Sequence, residues 1–88
     1  MDPIVDVADV RVLARYIVEL TFETGEVKVI DLEPLLRGTV FEPLIQDYGL
    51  FTQVSVDPEG GTIVWPNGAD ISPRTLYLRS RDVVPQAS

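Results

Sequence analysis

Asn67, Asp70 and Ser72 fall within six residues of one another, on the segment Thr62 to Tyr77 that also carries the chain's only tryptophan, Trp65. Polar side chains around a turn that opens into a helix can leave backbone N–H groups free to bind an anion or a peptide carboxylate. The same residue types also satisfy those N–H groups themselves as caps, and capping accounts for Asp70 and Ser72 without any ligand. Trp65 reads in two ways as well. Tryptophan is enriched among binding hot spots, but a small domain needs its largest side chain inside, here under a helix that starts at Pro73. Arg74 and Tyr77 follow on that helix. Together with Trp65, Asn67 and Asp70 they form the candidate interaction surface. Arg74, Arg79 and Arg81 could grip an acidic partner or phosphates, although Arg79 and Arg81 also suit the negative end of a helix dipole.

Other groupings carry less chemistry. Asp57 and Glu59 lie two apart before Gly60-Gly61. Calcium needs six or more oxygens, so an acidic hairpin turn is the expectation. Asp47 and Asp70 could act as acid and base only if the fold brought them together, and a sugar cleft is hard to build in so short a chain. Lys28, the only lysine, lies between Val27 and Val29 and is expected on an exposed face as a solubilising or edge-guarding charge. The chain has no cysteine and no histidine. This removes thiol nucleophiles, the usual general base near neutral pH, zinc sites built on Cys or His, and Ser-His-Asp catalysis. An enzyme would have to rely on carboxylates, Tyr, Ser, Lys or Arg, so no catalytic, cofactor-binding or metal-binding residue is assigned.

The 88 residues suffice for one domain, with an ordered core over about 4–80 and a frayed tail over 82–88. A domain of this size buries about 60–65% of its unfolded surface, so its core is modest. Hydrophobic residues make up 45% and charged residues 24%, a globular composition. No apolar run is long enough for a transmembrane helix, and the N-terminus lacks a secretory pattern, so a cytoplasmic location is expected. The net charge of −7 opposes phosphate backbones and favours a basic protein partner.

These residues are positioned by elements legible in the pattern. Ile4 to Ala14 is a β-branched strand whose alternation slips near Ala8-Asp9, as a bulge would make it. In Tyr16 to Phe22, the residues Tyr16, Val18, Leu20 and Phe22 share one face. Glu23-Thr24-Gly25-Glu26 forms a turn, and Val27 to Ile30 returns. Asp31 caps a short helix through Leu36, ended by Gly38. Thr39 to Glu42 has the spacing of a capping box for a second short helix, stopped at Gly49. Gln53–Val56 and Thr62–Trp65 are strands either side of an Asp57–Gly61 turn, and Pro66 to Ala69 is a second turn. Ser72 at the N-cap, Pro73 at the first helical position and an Ile71–Leu76 staple start a helix over about 73–79. The expectation is an α+β fold: an antiparallel meander of about five strands, with two short helices and a C-terminal helix packed to one side.

The hairpin Tyr16 to Glu26, Val29-Ile-Asp-Leu-Glu-Pro-Leu-Leu36, Val40-Phe-Glu-Pro-Leu44, Phe51 to Asp57 and Thr62 to Pro73 resemble a small bacterial family catalogued as domain of unknown function 2442. The Trp65 to Pro73 piece is the specific one. The resemblance spans about residues 5 to 78 and implies an α+β domain with no established activity. Some members look like N-terminal modules fused to a helix-turn-helix domain. Others are lone domains encoded beside a second small protein, which suggests a toxin–antitoxin pair. The sequence ends at Ser88 without room for a helix-turn-helix domain, which favours the lone-domain role.

The leading expectation is therefore a non-catalytic protein-interaction module, the antitoxin-like or accessory member of a two-gene bacterial system. Its partner would be a protein, basic and encoded by a neighbouring gene, with a homodimer as a further arrangement. Neither a membrane nor direct nucleic-acid binding is expected. The alternative is a ligand-sensing regulatory module with a pocket under the sheet or beside Trp65.

Overall fold

The computed structural model describes residues 5–83. Three strands open the chain: β1 (Val7–Ala14), β2 (Ile17–Phe22) and β3 (Val27–Asp31). A 3₁₀ turn (Glu33–Leu35) and two short helices follow, α1 (Glu42–Gln46) and α2 (Tyr48–Phe51). Next come β4 (Ser55–Asp57), β5 (Thr62–Val64), β6 (Asp70–Ile71), α3 (Pro73–Arg79) and β7 (Arg81–Asp82). The α+β class and the antiparallel meander match the sequence expectation. The strands divide into two sheets, however, in the orders β1-β2-β3-β7 and β4-β5-β6.

The two strands not expected from sequence are two residues each, too short to show a period. Backbone bonding makes them. The Pro66 to Ala69 turn closes with Trp65 N–H donating to Ala69 O at 2.9 Å, which lays β6 along β5. The buried Thr62 hydroxyl donates to Ile71 O across the same pair. Beyond α3, Arg81 and Asp82 pair with Val29 and Lys28, so the expected frayed tail begins as a strand. Its remainder, residues 84–88, lies outside the described residues, as does the start of the expected first strand.

In β2, the alternation buries Val18, Leu20 and Phe22, as its pattern requires. The register slip expected in β1 is present between Val7 and Asp9, and a second lies between Val12 and Ala14. Gly25 has φ +93 in the β2–β3 turn. The sheets adjoin where Val7 N–H donates to Gly61 O at 2.9 Å.

The middle of the chain departs from the sequence reading. Asp31 Oδ1 does accept from Glu33 N–H at 3.0 Å, but only a 3₁₀ turn follows. The capping box over Thr39 to Glu42 does not form: Phe41 takes the N-cap position, without a side-chain bond. The chain breaks at Asp47, which is extended at φ −128, ψ 97 and whose carboxylate caps α2 by accepting from Leu50 N–H at 3.3 Å. Gly49 therefore lies inside α2 rather than ending a helix. A capping carboxylate stabilises a new start more than a single glycine destabilises the interior of a four-residue helix.

The core holds Trp65, which is 2% exposed. Its Nε1–H donates to Phe51 O at 2.9 Å, and its ring meets Phe51 at 5.8 Å and Phe41 edge-on at 6.3 Å. Ile71 and Leu76 are both buried, consistent with a staple at the start of α3. No helix among the described residues is long and apolar enough to cross a membrane.

Replacing Trp65 with Phe removes this donor and part of the core volume. We expect it to cost about 2–3 kcal/mol, read by denaturant unfolding followed by circular dichroism. Gly61 is buried at φ +67, and a methyl group there would collide with the Asp6 carboxylate. Gly61→Ala should therefore lower stability by about 1–2 kcal/mol in the same assay, and no loss would contradict the left-handed geometry.

Candidate functional site

The five residues singled out on sequence do not form one surface. Trp65 is spent on the core. Asn67 is exposed, yet both ends of its amide are used: Nδ2 donates to Val40 O at 2.9 Å and Oδ1 accepts from Ala69 N–H at 3.1 Å. It braces the turn against the loop before α1. Asp70 is exposed in β6, opposite Val64. Ser72 takes the N-cap position of α3, but its hydroxyl makes no capping bond, so its fitness there comes from backbone conformation (φ −55, ψ 134). Arg74 is exposed on the first turn of α3. Asp47, once a candidate acid, is committed to its cap. The expected Asp57 turn is present, with Asp57 Oδ1 accepting from Glu59 N–H at 3.1 Å. Among the described residues no three His, Cys, Asp or Glu side chains gather as metal ligands would.

Tyr77 belongs to a different constellation, at the β3 side of the first sheet. Its hydroxyl donates to the Glu26 carboxylate, 3.0 Å from each oxygen. Its ring meets Phe22 edge-on at 5.2 Å, and Lys28 Nζ lies 4.7 Å from its centroid. Lys28 pairs with Asp82 at 2.9 Å. Lys28 is thus 9% exposed, contrary to the expectation of a solvated face. Even-numbered positions of β3 point inward, where α3 covers them. The lost hydration of the ammonium is offset by the Asp82 carboxylate and the Tyr77 ring. The hydrogen bond to Glu26, followed by burial and the Glu26 charge, holds the Tyr77 phenol above its usual pKa, while Lys28 opposes the shift. In this arrangement the Tyr77 hydroxyl is the donor and the Glu26 carboxylate the acceptor.

A further surface was missed on sequence. Arg15, Tyr16 and Tyr48 line an open depression of about 300 Å³. Arg15 is the only non-glycine residue with positive φ (+49) among the described residues, in the tight turn joining β1 to β2. That conformation costs a residue with a side chain about 1 kcal/mol. Tyr48 O–H donates to the Arg15 carbonyl at 2.6 Å and holds the turn in place. Tyr48 stacks on Phe51 at 5.7 Å and meets Tyr16 edge-on at 5.8 Å, yet stays 42% exposed. The sequence signal was faint because the turn lacks the usual Gly, Asn or Asp.

The raised Tyr77 pKa has a definite sign. Folding favours the protonated phenol, so the stabilisation is complete below the ordinary tyrosine value of about 10 and is lost as pH climbs through the folded value. Absorbance titration at 295 nm should show a late-ionising tyrosine in the parent that is absent from Tyr77→Phe. If all three tyrosines instead ionise together in the parent, the Glu26 bond does not persist in solution.

Residues 7–82 match the family described as "Protein of unknown function (DUF2442)". No curated protein and no solved structure matches the chain. The matched span runs from the first residue of β1 to the last of β7, so it contains every helix and strand among the described residues and both side-chain constellations. The chain belongs to the DUF2442 family.

Proposed function

We propose that this chain is a non-catalytic protein-interaction module that engages its partner through the Arg15, Tyr16 and Tyr48 surface. The observation that carries the reading is the pairing of exposed aromatic area with a strained arginine turn. Tyr and Arg are enriched among binding hot spots: Tyr brings large, rigid contact area at low entropic cost, and Arg brings several directed hydrogen bonds. A turn that needs only to reverse the chain is better served by Gly or Asn at φ +49. Retaining Arg there suits a role outside the fold.

The net charge of −7 favours a basic protein partner by steering its approach. The finer reading is an antitoxin-like or accessory member of a two-gene bacterial system acting in the cytoplasm. The side chains already drawn together are committed to folding: Tyr77 to Glu26, Asn67 to two backbone groups, Asp47 to a helix start. That distribution supports binding rather than catalysis.

Co-expression with the product of the neighbouring gene, followed by pull-down, should recover a complex. Arg15→Gly relieves the left-handed strain, so it should leave stability unchanged or raise it by up to about 1 kcal/mol while weakening the complex. Tyr48→Ala should weaken the complex roughly tenfold or more. Undiminished binding by both variants would remove this surface from the interface.

A further inference from the structure

A second concave feature lies on another part of the molecule, where α3 runs into β7. β7 is two residues long and pairs with β3 only at Lys28 and Val29. The edge of β3 beyond Val29 therefore has no residue of β7 paired to it. A groove of about 240 Å³ opens there, lined by Val29, Ile30 and Asp31 of β3, Pro34 and Leu35 of the 3₁₀ turn, and Arg79 and Arg81. Neither arginine has an ion-pair partner among the described residues, although the chain carries an excess of seven acids.

We propose that this groove binds a small organic monocarboxylate with a short apolar body, its carboxylate held by Arg79 and Arg81. This goes beyond the interaction role and does not rest on it. Guanidinium groups match a carboxylate in planar, two-point geometry. The arginines stand either side of Ser80, which is itself fixed. Its N–H donates to Leu76 O and its hydroxyl to Tyr77 O, both at 3.1 Å. Those bonds fix the backbone between the two arginines. The lining mixes these charged groups with the side chains of Val29, Pro34 and Leu35, which offer apolar contact to a short hydrocarbon body beside the carboxylate.

Asp31 sets the charge. Its Oδ1 accepts from Glu33 N–H, which orients the carboxylate without neutralising it. A residual negative charge beside two arginines admits one carboxylate more readily than a dianion. The volume lies below the roughly 300–1,000 Å³ typical of sites for drug-sized ligands, so the ligand is smaller than those. The net charge of −7 opposes any anion, but acids beyond about 8 Å are screened at physiological salt, whereas the arginines would be in direct contact.

The test is a titration of the full chain with isovalerate, followed through its backbone amide NMR spectrum. Isovaleramide and inorganic phosphate serve as separate comparison ligands. Saturable shifts centred on Val29 to Asp31, Leu35 and Arg79 to Arg81 are expected with isovalerate, with clearly weaker binding of the other two. The Arg79→Gln/Arg81→Gln double variant should lose roughly tenfold or more in affinity, and its dispersed spectrum will show that it still folds. Asp31→Asn keeps an acceptor for Glu33 N–H and should bind isovalerate more tightly. Equal binding of isovaleramide, equal binding of phosphate, unchanged affinity in the double variant, weakened affinity in Asp31→Asn, or no saturable shift at all would each overturn the proposal.

Discussion

The contact between Trp65 and Phe51 is what the centre of this fold depends on. The helices α1 and α2 have five and four residues, well below the length at which a helix persists by itself. Phe51 ends α2 and presents one ring to Tyr16, Tyr48 and Trp65, while its carbonyl accepts the indole N–H. Through that residue the β1–β2 turn, the short helices and the second sheet share one apolar seam. Each aromatic pair adds about 0.5–1.5 kcal/mol beyond the area it buries, enough to matter in a domain of marginal size. The indole donor adds direction, because it bonds the Phe51 carbonyl at the end of α2.

The other junction, between α3 and the first sheet, rests on different chemistry. Glu26, Lys28, Tyr77 and Asp82 form a chain of polar contacts around one ring. Lys28 loses hydration in joining it, and an ammonium buried without partners would be strongly unfavourable. The ion pair is half-exposed, since the Asp82 side chain is 72% accessible, so much of its worth lies in orientation rather than in attraction. The apolar seam supplies free energy of folding. The polar cluster specifies where the last helix and strand sit.

Much of this architecture was legible in the sequence because it follows from local pattern. The alternation in β2, the Gly25 turn, the slip in β1 and the start of α3 at Ser72-Pro73 are short-range signals, and each corresponds to the structure. Features decided by distant partners were not legible. β6 and β7 are too short to carry a period, and Lys28 looks like a surface residue until α3 is placed over it. Asp47 outcompeted Gly49 as the organiser of the second helix because capping depends on backbone geometry that spacing alone does not reveal. The same reason scattered the candidate surface. Trp65, Asn67 and Tyr77 are near in sequence, but a buried ring, a braced turn and a partner at Glu26 send them to three places. Arg15 and Tyr48, thirty-three residues apart, meet instead.

The Tyr77–Glu26 hydrogen bond joins residues fifty-one positions apart, whereas β1, β2 and β3 are linked by tight turns. Closing a long loop costs chain entropy before any contact repays it, while neighbouring hairpins close early. The three-stranded meander is therefore expected to form before α3 and β7 dock onto it. The same ordering runs backwards in the native state. The C-terminal helix and its two-residue strand close the longest of these loops, so exchange of the backbone amides there with solvent is expected to report a local opening distinct from global unfolding.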